Sequence, residues 1–169
     1  DQMERFMREA ISEARRGERE GEVPIGSVLV LGSGDEARIV GRGHNRNNGL
    51  RRRNAHAEIV MMESTDGRIP EDAEELALFS TLEPCVMCFG AAMESGIPFV
   101  IYGCPAPLDS GPGRVRPPTS PEAKVPRVIG DILRTECEAL FRNWLERNRA
   151  TGRPLQVQFV QATLDALKD

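Results

Sequence analysis

The sequence contains no long apolar run. No stretch approaches the ~18–20 consecutive apolar residues that a helix needs to cross a bilayer. The first twenty residues are charged throughout and lack the apolar centre of a signal peptide. We therefore expect no membrane association and a location in the cytoplasm, where thiols stay reduced. In that compartment, a CxxC pair is more typical of metal binding or redox chemistry than of a disulfide.

Aromatic residues and excess positive charge are also scarce. Phe, Trp and Tyr make up 5% of the sequence, and 22 Lys and Arg face 26 Asp and Glu, for a net charge of −4. This acidic balance argues against broad non-specific binding to nucleic acids, and few aromatic rings are available to stack RNA bases. Arg51, Arg52 and Arg53 form a short basic run, which is typical of a solvated loop, with phosphate binding as the alternative.

Helical and strand periodicities alternate along the 169 residues, a length that suits one domain over 1–169 with its own hydrophobic core. No internal repeat, Walker A loop or GxGxxG motif occurs. The alternation predicts an α/β fold, with a mixed or parallel sheet flanked by helices. The predicted elements are helix 3–20, strands 25–31 and 37–44, helix 55–65, strand 75–81, helix 87–96, strand 99–103, a short strand from 128 and a C-terminal helical segment over about 131–169.

Proline is concentrated in one segment of the chain. Seven of the twelve prolines lie between Pro105 and Pro126. Their stiff extended and turn conformations predict a long loop over about 105–126, close to the length at which loops carry function. A plain surface connection is the alternative interpretation.

Histidine and cysteine are scarce, with two and four residues, and half of each occurs in two short motifs. His56 lies in AHAE, and Cys85 and Cys88 lie in PCVMC. A disulfide, a closed structural metal site and an open catalytic metal site are the three explanations to weigh. Pro84 suits the start of a helix, whose first turn would place both thiols on one face and whose dipole favours their thiolate forms. One imidazole and two thiolates make three zinc ligands and leave the fourth tetrahedral position for water.

Glu58 distinguishes between the two kinds of metal site. A closed site needs a fourth ligand and has no use for a nearby carboxylate. A catalytic site needs a group that takes a proton from the attacking water and delivers it to a leaving nitrogen. Cys104 and Cys137 could supply a fourth ligand, but neither lies in a second CxxC and each borders an apolar run, so we expect buried free thiols. The pattern therefore favours an open, catalytic metal site.

These motifs resemble those of the cytidine deaminase superfamily, in particular its nucleobase and tRNA-adenosine deaminase branch. The pattern H-x-E followed by P-C-x-x-C is the signature of zinc deaminases, and the resemblance extends from the first helix to about Tyr102. It implies a three-layer α/β/α sandwich with a central five-stranded mixed sheet, one zinc ion per subunit, hydrolytic deamination and a homodimer. The segments that carry it are, in order, EVPIGSVLV, GRGHNRN, AHAE, STLEPCVMC and GIPFVIYG.

The resemblance also implies which residues carry the chemistry. His56, Cys85 and Cys88 correspond to the zinc ligands. Glu58 corresponds to the residue that takes a proton from water and delivers it to the ring nitrogen and to the departing amine, which leaves as ammonia.

Substrate contacts are implied by the same resemblance. Asn45 corresponds to an asparagine whose side-chain amide hydrogen-bonds the substrate ring, with local capping as the alternative. Ile25 corresponds to an apolar residue of the pocket wall, a position that core packing explains equally well. The backbone N–H groups of Ala57 and Cys85 are expected donors near the metal. His44 matches no ligand, and we expect it to be structural.

The residues leave the identity of the substrate open. GRGHNR and SGIP resemble fungal cytosine deaminases, whereas AHAEI, TLEPCVMC and ILRTECEALFRNWLERNR resemble bacterial tRNA adenosine deaminases. The tRNA enzymes and guanine deaminases commonly carry an Asp-Pro just ahead of the zinc histidine, whereas this chain has Arg52-Arg53-Asn54-Ala55 there. An aromatic pair of the tRNA enzymes corresponds to Trp144-Leu145.

We expect a free nucleobase or nucleoside of the cytosine, guanine or adenine type as the substrate. Adenosine at the anticodon wobble position of tRNA is the alternative. A catalytically silent zinc domain that acts as an assembly module is a third possibility, against which the intact Glu58 argues.

Overall fold

The computed structural model describes residues 1–168, and Asp169, the last residue of the predicted C-terminal segment, lies outside them. The predicted elements are present, with their ends shifted by a few residues. Within the described residues, no helix is both long and apolar enough to span a membrane. In chain order the elements are α1 (Gln2–Arg19), β1 (Gly26–Leu31), β2 (Arg38–His44), α2 (Asn47–Leu50), α3 (Ala57–Glu63), β3 (Leu76–Leu82), α4 (Val86–Glu94), β4 (Phe99–Cys104), β5 (Arg127–Ile129), α5 (Arg134–Asn148) and α6 (Pro154–Ala166).

The five strands form one mixed sheet in the order β2-β1-β3-β4-β5. Strand β1 runs antiparallel to both of its neighbours, whereas β3, β4 and β5 run parallel to one another. Helices α1 and α5 pack against one face, with α6 against α5, and α3 and α4 cover the other face. The expected three-layer α/β/α sandwich is therefore confirmed.

Strand β1 is buried on both faces of the sheet. Val28 and Val30 join the core beneath α1 and α5, while Leu29 and Leu31 join the core beneath α3 and α4. Because successive side chains of a strand point to opposite faces, a strand between two helical layers needs apolar residues at every position. This explains the continuous apolar run in the sequence.

The single turn α2 was not predicted, because its residues are polar and suit a loop. The carboxylate of Glu22 accepts hydrogen bonds from the backbone N–H groups of Asn48 at 2.9 Å and Gly49 at 2.8 Å. Free N–H groups at the start of a helical turn need such an acceptor. The hydrogen-bond acceptor for the N–H groups of this turn therefore comes from a residue more than twenty positions earlier in the chain.

Strands β2, β3 and β4 all end at the same edge of the sheet, as their register shows. Residues 105–126, where the sequence predicts a Pro-rich loop, follow β4 as an irregular connection. An isolated bridge between Cys85 and Ser110 ties this loop to the start of α4. In open α/β sheets, ligands bind outside the carboxyl ends of the strands, so this edge is where a site is expected.

Candidate metal centre and active-site cavity

The predicted ligand residues lie at the starts of two helices on the same face of the sheet. His56 is the N-cap of α3 and Cys85 is the N-cap of α4, both with extended backbone, and Cys88 lies one turn further along α4. Pro84 was predicted to lie at the start of the helix. It instead precedes the N-cap Cys85 and lies just outside α4. Since helix N-termini carry partial positive charge, the start of α4 favours the thiolate forms of Cys85 and Cys88.

Three potential ligand atoms converge at this point. His56 Nδ1 lies 3.5 Å from Cys85 Sγ and 3.7 Å from Cys88 Sγ, and all three atoms lie within 4.8 Å of one another. A tetrahedral zinc ion with ordinary bond lengths separates a nitrogen and a sulfur ligand by about 3.6 Å. The donor set and its spacing therefore fit zinc, which His56, Cys85 and Cys88 could hold.

The other cysteines lie elsewhere. Cys104 and Cys137 are buried in the core between the sheet and α5, and burial raises the pKa of each thiol to about 12. All four cysteines are free thiols. The prediction of two buried free thiols is confirmed, and the metal-binding group in the described part of the chain has three members.

The local electrostatics suit a thiolate at Cys85 beside a protonatable carboxyl group, whereas the hydrogen bond with Cys85 and burial raise the pKa of Cys88. The hydrogen bond with Cys88 lowers the pKa of the Cys85 thiol to about 4, and the contact with His56 acts in the same direction. Glu58, in the first turn of α3, is only 4% exposed, and burial raises the pKa of its carboxyl group above the ordinary value. The Ser80 hydroxyl donates a hydrogen bond to Glu58 Oε1 at 3.3 Å. A buried carboxyl group with a raised pKa binds a proton more readily, which suits a group that takes up and passes on a proton.

A cavity of about 500 Å³ opens onto the metal-binding residues, a size typical of small-ligand sites. It contains His56, Cys85, Glu58 and both predicted substrate contacts with side chains, Ile25 and Asn45. Arg53, which the sequence places beside the pocket, also lies in the wall. Sequence reasoning did not identify the other wall residues, which are Val23, Asn47, Leu82, Glu83, Asp109, Leu155, Gln156 and Phe159.

The amide of Asn45 has a fixed orientation. Its Oδ1 accepts a hydrogen bond from the backbone N–H of Ala57 at 2.8 Å. Because a backbone N–H can only donate, the atom that faces it must be the amide oxygen. The Nδ2 group is thereby turned away from α3 as the available donor. The Ala57 N–H itself is engaged by Asn45, so its predicted role as a direct substrate donor stays a prediction.

Helix α6 forms part of the cavity wall with Leu155, Gln156 and Phe159. The side-chain amides of Gln156 and Asn48 exchange two hydrogen bonds, at 2.7 Å and 3.3 Å. The 105–126 loop contributes Asp109 to another wall. Two segments that the sequence leaves without an assigned role therefore enclose the metal centre together.

His44 has the structural role expected of it. Its ring nitrogens contact Glu13 Oε2 at 3.0 Å and Glu20 Oε2 at 2.8 Å. The hydrogen bond with Glu13 raises the pKa of His44, and the same bond lowers the pKa of Glu13. The pair fastens β2 to α1 and is separate from the metal-binding group.

A mixed sheet between helices, with one imidazole and two thiols beyond the ends of its strands, defines a class of zinc-dependent hydrolases. The family model of the cytidine and deoxycytidylate deaminase zinc-binding region matches residues 1–104. The chain therefore belongs to the cytidine deaminase superfamily, whose members are zinc hydrolases that act on C–N bonds.

Two curated relatives illustrate the similarity. The tRNA-specific adenosine deaminase of Bacillus subtilis is 33% identical over 161 residues, which cover 91% of this chain and 98% of that protein. The tRNA(Ile)-lysidine synthase of Thermus thermophilus is 38% identical over 146 residues, or 86% of this chain. The match spans only 25% of that second protein's length.

Solved structures of two kinds share the fold. A tRNA:A34 deaminase matches with a TM-score of 0.65 at 30% identity, over 80% of this chain and 98% of that chain. A guanine deaminase from Nitrosomonas europaea matches with a TM-score of 0.67 at 22% identity, over 83% of each chain. The second likeness concerns the fold alone.

Proposed function

We propose that this protein hydrolytically deaminates an amino-substituted nucleobase ring of the cytosine, guanine or adenine type, as a free base or nucleoside, and releases ammonia. The observation that carries the proposal is the buried carboxylate of Glu58, which lines the same cavity as His56 and Cys85 of the metal-binding group. A closed structural metal site has no use for such a group, whereas hydrolysis requires a proton carrier beside the activated water.

Glu58 is the proton carrier in this proposal. Zinc, when bound by the three ligand residues, supplies the Lewis acidity that activates water as the nucleophile. Glu58 takes a proton from the attacking water and delivers it to the ring nitrogen next to the reacting carbon. A second proton passes through Glu58 to the amino group, which leaves as ammonia. One C–O bond forms and one C–N bond breaks, so the amino-substituted ring becomes an oxo-substituted ring.

Asn45 and Ile25 position the ring. The Nδ2 group of Asn45 donates to an acceptor on the edge of the base, because its Oδ1 is held by Ala57. Ile25 and Leu82 offer apolar surface to the faces of the ring. A flat, mostly apolar ring with a few polar edge atoms suits such a cavity.

Ammonia release from a panel of free bases and nucleosides tests the proposal. Zinc-loaded protein should release ammonia from at least one cytosine, guanine or adenine compound. Protein stripped with a chelator should lose this activity and regain it on addition of zinc. A zinc-loaded protein that releases no ammonia from any base, nucleoside or RNA would instead support a silent assembly module.

Adenosine in tRNA is the second candidate substrate. It is supported by the 33% identity to the B. subtilis enzyme over nearly its whole length and by Arg53 in the cavity wall, where a guanidinium can meet a phosphate. An anticodon stem-loop with adenosine at the wobble position should then bind in a salt-sensitive way and yield inosine. Conversion of the stem-loop without conversion of any free base or nucleoside would favour this candidate.

The homodimer implied by the family resemblance is part of the proposal. Light scattering coupled to size-exclusion chromatography should give twice the 18.7 kDa mass of the chain. A monomer that is fully active on the identified substrate would contradict this part alone.

A further inference from the structure

Helix α6 is joined to the first half of the chain by one pair of side-chain amides. Gln156 Nε2 donates a hydrogen bond to Asn48 Oδ1 at 2.7 Å, and Asn48 Nδ2 donates to Gln156 Oε1 at 3.3 Å. The other side-chain hydrogen bonds of α6 in the described part of the chain stay within residues 154–168 or reach Arg149 at the end of α5. This amide pair is therefore the polar link that holds the start of α6 against α2.

The remainder of α6 packs chiefly on α5. The ring of Phe159 meets that of Phe141 edge to face, with centroids 6.0 Å apart. The fully buried residues of the helix, Val160 and Thr163, lie in its second half, whereas Leu155 in its first turn is 79% exposed. Packing therefore fixes the middle of α6, and the position of its first turn depends on the amide pair.

The Asn48 side of the amide pair is firmly anchored. Asn48 Nδ2 also donates to the carbonyl of Gly21 at 2.9 Å, and the carboxylate of Glu22 accepts from the backbone N–H groups of Asn48 and Gly49. Glu22 is buried, and hydrogen bonds shielded from water are electrostatically stronger than exposed ones. The turn α2 therefore offers α6 an amide in a fixed position.

The amide pair lies between two cavities. Gln156 lines the active-site cavity of about 500 Å³ and also a second cavity of about 400 Å³. Asn48 lines the second cavity, whereas its neighbour Asn47 lines the active-site cavity. The amide pair is therefore part of the boundary between the two cavities, and its loss would let them join.

A substrate ring has a defined direction in the active-site cavity. Its amino-bearing carbon must reach the metal-binding group and Glu58, which is buried. The same cavity extends to Arg53 and Leu155, which are both exposed. Groups that the ring carries on the side away from its amino group therefore point towards this open side, where the first turn of α6 and the amide pair lie.

We propose that Asn48 and Gln156 are positioning residues that hold the first turn of α6 over the open side of the cavity, and that they thereby favour small substrates over rings that carry long groups. This inference rests on the proposed function and narrows its substrate class to a free base or nucleoside. A ring within a nucleotide chain must displace the first turn of α6, and the free energy of breaking the amide pair then weakens its binding.

Kinetics on substrates of increasing size test the proposal. The series is the base, nucleoside and nucleoside monophosphate of the ring that the wild type deaminates fastest, and a trinucleotide with that nucleoside in the middle. Gln156→Leu keeps the bulk of the side chain and removes both hydrogen bonds. It should raise KM for the base or nucleoside about 3- to 10-fold, the worth of a lost hydrogen bond, with little change in kcat. The trinucleotide should lose nothing, so the wild-type preference for the smaller substrate should narrow by the same factor.

A double-mutant cycle shows whether the two amides act as a pair. Asn48→Ala keeps its backbone N–H and should have the same effect as Gln156→Leu, and the double variant should be no worse than either single variant. Gln161→Leu is the matched control on the same helix and should equal the wild type, because its side chain bonds only Arg149 and Asp165. Zinc content should be unchanged in all variants, since none of these residues belongs to the metal-binding group.

Contrary results separate the inference from the proposed function. An unchanged size preference in Gln156→Leu and Asn48→Ala, or additive effects of the two substitutions, overturns the inference and leaves the deaminase function standing. A wild type that converts the trinucleotide as efficiently as the base and nucleoside does the same; should Gln156→Leu not fold, Asn48→Ala gives the comparison. Conversion of an RNA stem-loop without ammonia from any smaller substrate removes both the inference and the proposed function.

Discussion

At the scale of single residues, burial decides which side chains can do chemistry. Glu58 accepts a hydrogen bond from Ser80, and burial raises the pKa of its carboxyl group. Glu63 lies on the same helix but is exposed and pairs with Arg52 at 3.2 Å. Two glutamates five positions apart therefore have different surroundings, and only Glu58 lines the cavity.

Replacement of Glu58 by Gln should lower kcat at least about 100-fold, because general acid–base catalysis is typically worth 10²- to 10⁴-fold. The zinc content should stay at one ion per chain, since Glu58 is not one of the three ligand residues. Metal analysis and steady-state kinetics on the identified substrate would check both expectations. Glu63→Gln is the matched control, and full activity in Glu58→Gln with zinc bound would contradict the assigned role.

His44 gives a pH dependence of stability with a definite sign. The hydrogen bond with Glu13 raises the pKa of His44 in the folded protein. Its contribution is therefore fully present below the ordinary histidine pKa of about 6.5 and is lost as the pH rises through the raised value. The lowered pKa of Glu13 has the opposite sign, so its contribution is lost as the pH falls through that value.

The free energy of unfolding of the wild type, relative to His44→Gln, should decrease by about 1–2 kcal/mol between pH 6 and pH 9, the worth of a charged hydrogen bond after allowance for solvent around Glu20. Urea unfolding of both proteins across this range measures the difference. Any packing loss in the variant gives a constant offset. A difference that does not vary with pH would show that the charge of His44 contributes nothing.

At the scale of elements, the site depends on how closely α3 approaches the sheet. A Cβ atom on Gly43 would lie 2.4 Å from Met61 N and 2.6 Å from Ala57 O. Glycine at this position of β2 lets the start of α3, with His56 and Glu58, come down to the edge where β3 ends. Gly43 therefore influences the position of His56 and Glu58 by allowing the backbone of α3 to pack closely against β2.

Gly43→Ala should destabilise the fold by about 1–3 kcal/mol, the usual effect of overpacking a close contact, and should weaken zinc binding because α3 must move. Denaturant unfolding and a zinc titration with a chromophoric chelator would measure the two effects. Gly90→Ala in α4 is the matched control, since a Cβ there meets no atom within 4 Å. It should be neutral or stabilising by up to about 1 kcal/mol. Equal stability of the two variants would contradict the close-approach argument.

The boundaries of the helices and strands were largely predictable from the sequence. Which segments form the cavity wall was not. Apolar spacing located α1, the strands and α4 within a few residues, because those patterns arise from one helix face or one buried strand. The contact of Gln156 with Asn48 joins segments more than a hundred positions apart. No local pattern shows which helix will cover a distant loop, so the role of α6 appears only in the folded chain.

At the scale of the whole molecule, the metal-binding group connects two helices whose positions depend on separate strands. His56 starts α3, which packs on β2 and β1, while Cys85 and Cys88 belong to α4 after β3. A ligand that binds only the folded arrangement stabilises it by mass action. The metal is therefore expected to contribute to the stability of this edge of the fold as well as to catalysis.

Removal of zinc should lower the Tm, with a loss of about 2.7 kcal/mol at a free zinc concentration one hundred times its Kd. Calorimetry with and without a chelator, followed by addition of zinc, would measure the change and its reversal. Cys88→Ser should start from a lower Tm and respond little to the chelator. An identical Tm for zinc-loaded and stripped wild type would contradict the coupling of metal binding to stability.

The sequence by itself determined the α/β class, the order of elements and the metal-binding residues. These features depend on short spacings: a strand's apolar run, and two cysteines three positions apart that one helical turn brings together. Only the tertiary structure decided that Asn45 is oriented by Ala57, that the 105–126 loop contributes Asp109 to the cavity wall, and that α6 forms another part of that wall. Each of these depends on side chains from distant strands and helices meeting at one edge of the sheet, and packing of the whole chain, which no local pattern records, determines which of them meet.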